Sequence, residues 1–260
     1  MTGRIRRALV TGASAGIGER FAHHLADRGV ELVLVARRRD RLEALAATLP
    51  VAVEVVTADL ADAEDLATVC ARAGDRDRPV DLVINNAGVG AYGPVAEQDE
   101  ATLTRLVDVN VTAVVQVTRA ALPQLLERDL GGIINVGSTA GYRPGPFSAA
   151  YGGSKAFVRS FTEAVYEEVR NRGVHVLLLS PGFTATEFQV AAGADEDAVP
   201  ARLAGSADTV VHAALAAFAA GRAVCLPTPV DRVLAYGSEL FPGPLPRRIS
   251  GFLHRRLASR

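Results

Sequence analysis

The sequence predicts an α/β domain in which short buried strands alternate with amphipathic helices. Three observations support this fold class. Apolar runs of strand length recur along the chain, and the stretches between them mostly carry apolar residues at helical spacing. A glycine-rich turn joins the first strand to the first helix. A tyrosine and a lysine lie four residues apart in a later helical stretch, which puts both on one face.

Composition is typical of a globular protein. Hydrophobic residues make up 49% and charged residues 22% of the 260 residues, so we expect a single domain over residues 1–260. The net charge of -1 gives no reason to expect a nucleic acid partner. Cys70 and Cys225 match no metal or redox spacing, so no metal is expected. Without a signal-peptide core or a long apolar run, we expect a cytoplasmic protein with no integral membrane segment.

The first strand, at residues 8–10, runs into a turn that contains three glycines. Glycine lets the backbone approach a ligand closely, and the free N–H groups of the following helix favour a phosphate. We therefore predict a dinucleotide-binding turn; the alternative is a tight strand-to-helix turn that merely needs glycine. The residues predicted to contact the cofactor are Gly12, Ser14, Ala15, Gly16, Ile17 and Gly18.

Arg37 follows the second predicted strand, at residues 30–35. In dinucleotide folds an acidic residue near this point binds the ribose 2′-hydroxyl, whereas an arginine suits a 2′-phosphate. We therefore predict NADP(H) over NAD(H), with Arg38 and Ser14 assisting Arg37. The alternative is that residues 37–41 are only the solvated start of the next helix.

Two further strands are predicted at residues 51–56 and 81–84, with a helix over 62–73 between them. Asp59 and Leu60 follow the first of these strands and are placed to reach the adenine. The second strand leads into Asn85-Asn86-Ala87-Gly88.

Asn110 interrupts a helix predicted over residues 100–128. A polar amide between apolar neighbours is expected to be buried, and its donors and acceptor then need partners. Asn110 either ties a strand to this helix or organises a water near the site. After a strand at 132–136, Ser138 stands at the strand's carboxyl end, where open α/β sheets bind ligands.

Tyr151 and Lys155 share one face of a helix predicted over residues 149–171. A nearby ammonium favours the phenolate, so we expect Lys155 to lower the pKa of Tyr151 from its usual value of about 10. Such a phenol suits general acid–base work. The alternative is a surface pair on an ordinary helix.

The C-terminal third continues with strands at 174–179 and 223–226 and a helix over 208–221. The first of these strands leads into Pro181 and Gly182, and residues 183–205 are predicted to form a substrate lid. Arginines and helically spaced apolar residues make 244–260 a basic amphipathic tail. It either contacts an anionic membrane peripherally or packs on its own domain or a sister subunit.

In order and approximate spacing, a set of motifs over about residues 5–226 resembles the short-chain dehydrogenases/reductases. The resemblance implies a Rossmann-like, doubly wound, mostly parallel seven-stranded sheet with helices on both faces, NAD(P) across the strand ends, and a homodimer or homotetramer. The motifs are Thr11-Gly12-x-x-x-Gly16-x-Gly18, Asn85-Asn86-Ala87-Gly88, Asn110, Ser138, Tyr151-x-x-x-Lys155 and Pro181-Gly182.

The resemblance also implies roles. Tyr151 would be the acid/base and Ser138 would orient the substrate carbonyl. Lys155 would bind the nicotinamide ribose and lower the tyrosine pKa, while Asn110 would hold a proton-relay water. Along the cofactor would lie Asn86, Ala87, Gly88, Pro181, Gly182, Thr184 and Thr186. The chain departs from the family pattern in having Gly137 before Ser138, and Gly152-Gly153 is unusually glycine-rich for a helix.

These residues predict an oxidoreductase that interconverts a small-molecule carbonyl and an alcohol. The alternative is a regulator or scaffold that binds the cofactor without turnover. Apolar segments at 89–94, 140–147 and 183–192 favour a hydrophobic aldehyde or ketone, with pocket walls from Tyr92, Tyr142, Pro144, Phe147, Phe183 and Phe188. Arg143 is the one cation among them, and it either meets an anionic tail of the substrate or points to water.

Overall fold

Seven parallel strands form one sheet in the computed structural model, which describes residues 5–188 and 205–240. The strand order is β3-β2-β1-β4-β5-β6-β7, so the direction of winding reverses between β1 and β4. Ligands bind at such switch points in open α/β sheets. The strands are β1 Arg7–Thr11, β2 Glu31–Ala36, β3 Val53–Thr57, β4 Leu82–Asn85, β5 Gly132–Val136, β6 His175–Leu179 and β7 Val224–Cys225.

Helices cover both faces of the sheet. The strands therefore bury side chains in both directions: Val10 and Leu34 pack in one core, whereas Leu9 and Val33 pack in the other. The predicted fold class is confirmed. The helices are α1 Gly16–Ala26, α2 Arg39–Thr48, α3 Ala63–Ala73, α4 Glu100–Val107, α5 Ala113–Arg128, α6 Ala149–Val169, α7 Ala207–Ala219 and α8 Pro229–Leu240.

The helix predicted over residues 100–128 is two helices. A π-helical segment, Asp108–Thr112, joins α4 to α5 and contains Asn110. Such segments hold an extra residue per turn and are frequent at functional sites. The last strand is shorter than predicted, at Val224–Cys225, and α8 was not predicted at all.

Most of the predicted lid over 183–205 and all of the predicted tail over 244–260 lie outside the described residues. Within the part of the chain that is described, none of the helices has the length and apolar character needed to span a bilayer.

Candidate active site

A cavity of about 540 Å³ opens at the carboxyl ends of the strands. It collects nearly all of the predicted site residues from separate stretches of the chain. Gly18 and Asn110 are the exceptions, because neither lines it. The predicted residues that line it are Gly12, Ser14, Ala15, Gly16, Ile17, Arg37, Arg38, Asp59, Leu60, Asn86, Ala87, Gly88, Ser138, Tyr151, Lys155, Pro181, Gly182, Thr184 and Thr186.

The glycine turn is held against the end of β4. The Thr11 hydroxyl accepts hydrogen bonds of 3.0 Å from the backbone N–H groups of Asn86 and Ala87, and the Asn86 amide donates to the Thr11 carbonyl at 2.9 Å. A side chain at Gly18 would overlap the Gly12 carbonyl. Gly18 therefore packs against the turn from behind, and its contact with the cofactor stays a prediction.

The start of α1 fits a phosphate group. Its N-cap residue, Ala15, makes no side-chain capping bond, so the first N–H groups of the helix are left for a ligand in the cavity. Gly12 and Gly16 have φ angles of 65° and 59°, which glycine adopts without strain. The turn can thus hold the pyrophosphate of a dinucleotide.

Three arginines lie near the far end of the cavity, after β2. Arg37 and Arg38 line it, and Arg38 donates a hydrogen bond of 3.1 Å to the Ser14 hydroxyl. Glu187, from the segment after β6, accepts from Arg38 at 3.1 Å and from Arg41 at 2.8 Å. Hydrogen bonds from Arg41 and Arg38 lower the pKa of Glu187. Sequence reasoning missed this cluster, because Glu187 carries no motif.

Asp59 is paired with a residue that sequence reasoning also missed. Arg105, on α4, donates to both carboxylate oxygens at 2.8 Å. Burial would raise the pKa of Asp59, but the hydrogen bond from Ala61 and the interactions with Arg105 lower it overall. Asp59 is thus a charged carboxylate with an arginine partner. It lies at the end of the cavity that contains Arg37 and Arg38, which we call the adenosine end because the adenosine of a dinucleotide is expected there.

Tyr151 and Ser138 meet at the other end of the cavity. Tyr151 is half-buried, and desolvation of its phenol raises the pKa of that group. The proximity of Tyr92 adds to the increase, and a hydrogen bond with Ser138 opposes it. The prediction of a lowered pKa is therefore wrong in direction, because desolvation is the largest of the effects on the phenol.

Lys155 is buried beside Tyr151. Its Nζ donates a hydrogen bond of 2.8 Å to the Val136 carbonyl and lies 5.8 Å from the centre of the Tyr151 ring. Burial lowers the pKa of Lys155 to about 8. The ammonium is consequently charged at neutral pH and points to the same region as the phenol.

Asn110 lies behind the cavity wall. Its amide nitrogen donates to the Val89 carbonyl at 2.9 Å and to the Ser154 hydroxyl at 3.0 Å, and its oxygen accepts from the Val89 N–H at 2.9 Å. The Ser154 hydroxyl in turn donates to the Tyr151 carbonyl at 2.8 Å. Of the two predicted roles, this geometry supports the tie, which here runs between the segment after β4 and α6.

Aromatic rings line the cavity near Tyr151. Tyr92, Phe183 and Phe188 contribute to its wall, and the Phe188 ring centre is 5.5 Å from that of Tyr151. Three predicted wall residues are elsewhere, namely Tyr142, Pro144 and Phe147. Tyr142 packs against Arg159 and Tyr236 on the side of α8, because a helix that was not predicted covers it.

Arg143 lines the same end of the cavity and is half-buried. No group of three or more histidine, cysteine, aspartate or glutamate side chains that could hold a metal occurs within residues 5–188 and 205–240.

Comparison with known proteins agrees with this geometry. The family model for short chain dehydrogenases matches residues 6–197. A sulfoacetaldehyde reductase of Chromohalobacter salexigens is 40% identical over 195 residues, covering 73% of this chain and 77% of the relative. A structure of a short-chain dehydrogenase from Sphingobium yanoikuyae in complex with NADPH is 35% identical, with a TM-score of 0.83 over 91% of this chain and 93% of that one.

A second solved structure is the bulky-bulky ketone specific alcohol dehydrogenase from Comamonas testosteroni. It is 32% identical, with a TM-score of 0.77 and coverage of 86% for both chains. The family model and these relatives are named as dehydrogenases or a reductase, enzymes that interconvert CH–OH and C=O groups. The chain therefore belongs to the short-chain dehydrogenase family of NAD(P)-binding oxidoreductases.

Proposed function

We propose that the protein is an NADP(H)-dependent oxidoreductase that interconverts an alcohol and an aldehyde or ketone, with Tyr151 as the general acid/base. One observation carries the proposal. Tyr151, Ser138 and Lys155 line the same end of a cavity that continues to the glycine turn and the arginines after β2.

Bound NADPH supplies the hydride. The residues of the chain supply the proton and stabilise the charge that develops on the carbonyl oxygen. Because the pKa of Tyr151 is raised, the phenol is protonated at neutral pH and can donate to that oxygen. The Ser138 hydroxyl donates a second hydrogen bond to the same atom. The reverse reaction requires the phenolate and is therefore favoured by alkaline pH.

Lys155 has two roles in the proposal. Its ammonium stabilises the phenolate that remains after proton transfer, and it binds a hydroxyl of the nicotinamide ribose. The bond to Val136 supports both roles, since it fixes the side chain between β5 and α6. Asn110 positions Tyr151 through Ser154. We propose that Asn110 also binds a relay water. Because both hydrogens of its side-chain amide already have partners, one of its oxygen atoms would accept a hydrogen bond from that water.

The preference for NADP(H) follows from the charges at the adenosine end. Arg37 and Arg38 can pair with a 2′-phosphate, and the Ser14 hydroxyl is already held beside Arg38. Asp59, the carboxylate that follows β3 at this end, is paired with Arg105. The NADPH complex of the similar Sphingobium protein is consistent with this preference.

Purified protein can be tested for NADPH oxidation with a panel of aldehydes and ketones, including sulfoacetaldehyde and bulky aryl ketones. Tyr151→Phe is expected to lower kcat by roughly 10²- to 10⁴-fold, since it removes the proton donor. Tyr166→Phe is the matched control, because it removes a phenol from the same helix that packs against His175 instead of lining the cavity. NADPH affinity, measured by fluorescence, is expected to be similar in all three proteins.

Two outcomes count against the proposal. Tight NADPH binding without turnover of any carbonyl or alcohol would favour a regulatory or scaffold protein. Full activity in Tyr151→Phe would show that Tyr151 is not the general acid/base, although the class of reaction would be unchanged.

A further inference from the structure

Charges are distributed unevenly along the cavity. Two carboxylates line it within the described residues, Asp59 and Glu187, and both lie at the adenosine end with arginine partners. At the end that contains Tyr151, the charged side chains that line the described wall are Lys155 and Arg143, both cations. The described wall at this end of the cavity is therefore positive.

Arg143 is the cation that the proposed reaction does not use. It follows the short helical turn Thr139–Tyr142 that begins directly after Ser138, so the turn that places Ser138 also places Arg143 in the wall. Its side chain has no hydrogen bond or ion pair with a described residue. Burial lowers the pKa of Arg143, and no nearby carboxylate within the described chain opposes that shift.

A half-buried guanidinium without an anionic partner costs free energy, and an arriving oxyanion removes that cost. Guanidinium groups bind carboxylates and sulfonates through paired N–H donors in a plane. The remaining wall near Tyr151 is aromatic, with Tyr92, Phe183 and Phe188. This combination suits a molecule with an apolar skeleton and one charged oxyanion group.

We propose that Arg143 binds a carboxylate or sulfonate of the substrate, so that the substrate class is an anionic aldehyde or ketone. The inference rests on the proposed function, and it extends that function from an apolar carbonyl to an acid-bearing one. Tyr151 and Ser138 would bind the carbonyl oxygen, the aromatic rings would contact the skeleton, and Arg143 would bind the oxyanion.

The test compares matched pairs of substrates. Aldehydes of increasing chain length that carry a terminal carboxylate or sulfonate are compared with the uncharged methyl esters of the same acids. We expect the wild type to prefer one or more anionic members in kcat/KM. Arg143→Met should reduce that preference by roughly 10- to 100-fold, mainly through KM, because a charge-assisted hydrogen bond is lost.

Arg172→Met is the matched control, since Arg172 is exposed beyond the end of α6 and does not line the cavity. It removes the same charge and should keep the preference, whereas Arg143→Lys should keep part of it. A readout independent of turnover is the affinity of the NADPH complex for an unreactive diacid, measured by calorimetry. That affinity should fall in Arg143→Met and persist in Arg172→Met.

The inference is overturned if the esters are turned over as well as the acids, or if Arg143→Met weakens both equally. Equal weakening would mean that Arg143 supports the structure of the protein and does not bind the oxyanion. These outcomes are distinct from failure of the proposed function, which would appear as no turnover of acids and esters alike.

Discussion

Glu187 and Arg41 form an ion pair of 2.8 Å at the adenosine end of the cavity. Arg38 reaches the same carboxylate at 3.1 Å, so one acid from the segment after β6 is shared by two arginines near the start of α2. The contact lies where we propose that the 2′-phosphate of NADPH binds. A carboxylate and a phosphate would then compete for the same donors.

Replacing Glu187 by Gln is expected to tighten NADPH binding by about 2- to 5-fold, in line with the small free energy of exposed ion pairs. NADH affinity should change little, because NADH lacks the 2′-phosphate. Glu43→Gln is the control, since Glu43 pairs with Arg39 on the same helix without touching Arg38 or Arg41. Weaker NADPH binding in Glu187→Gln would show that the carboxylate assists the cofactor instead of competing with it.

Replacing Arg37 by Asp should shift cofactor preference toward NADH. The change removes a cation from the cavity wall and places an acid where the ribose 2′-hydroxyl is expected. We expect the ratio of NADPH to NADH affinity to fall by roughly 10- to 100-fold. Arg39→Asp is the matched control, because Arg39 is exposed and pairs with Glu43. An unchanged ratio in Arg37→Asp would contradict the assignment of Arg37.

Lys155 should make the stability of the protein depend on alkaline pH. Burial lowers its folded-state pKa to about 8, against 10.5 for an unperturbed lysine. Between these values the unfolded chain binds more protons than the folded chain, so the contribution of Lys155 to the free energy of unfolding rises with pH. That contribution is lost as pH falls through about 8.

The measurement is the difference in unfolding free energy between wild type and Lys155→Met without cofactor. It should increase by about 3 kcal/mol, as an order of magnitude, between pH 8 and 10.5. A difference that is flat over this range would mean that the lysine keeps an ordinary pKa.

Tyr151 should remain protonated where an ordinary phenol titrates. Because burial raises its pKa above 10, wild type and Tyr151→Phe should show the same phenolate absorbance up to about pH 10. The ultraviolet difference spectrum of the two proteins measures this directly. If wild type shows one extra phenolate at lower pH, the effect of Lys155 exceeds that of burial.

Two glycines, Gly153 in α6 and Gly18 in α1, allow a test of stability. A side chain at Gly153 would meet nothing within 4 Å, and the position is exposed, so close packing does not explain this glycine. Gly153→Ala is expected to stabilise the protein by about 1 kcal/mol, through helix propensity. Gly18→Ala should instead destabilise it, because the added carbon overlaps the Gly12 carbonyl. Thermal unfolding of both variants is the measurement, and a destabilised Gly153→Ala would contradict the reasoning.

Several parts of the site could be predicted from the sequence because they depend on short separations. Tyr151 and Lys155 share a helix face, and the glycines follow a strand directly. Other parts could not. Glu187 meets Arg38 across 149 positions of sequence, and Arg105 meets Asp59 across 46. No sequence motif predicts either pair, because the residues around them in the sequence look like those around any exposed acid or arginine.

The sequence by itself determined the α/β fold class, the glycine turn and the candidates for the reactive side chains, because helix and strand periodicity and glycine geometry act over a few residues. Only the tertiary structure decided which charges are neighbours, that Arg143 lines the substrate end, and that the pKa of Tyr151 is raised. Electrostatic energies and desolvation depend on distance and burial in space, and the chain acquires these only when distant segments pack together.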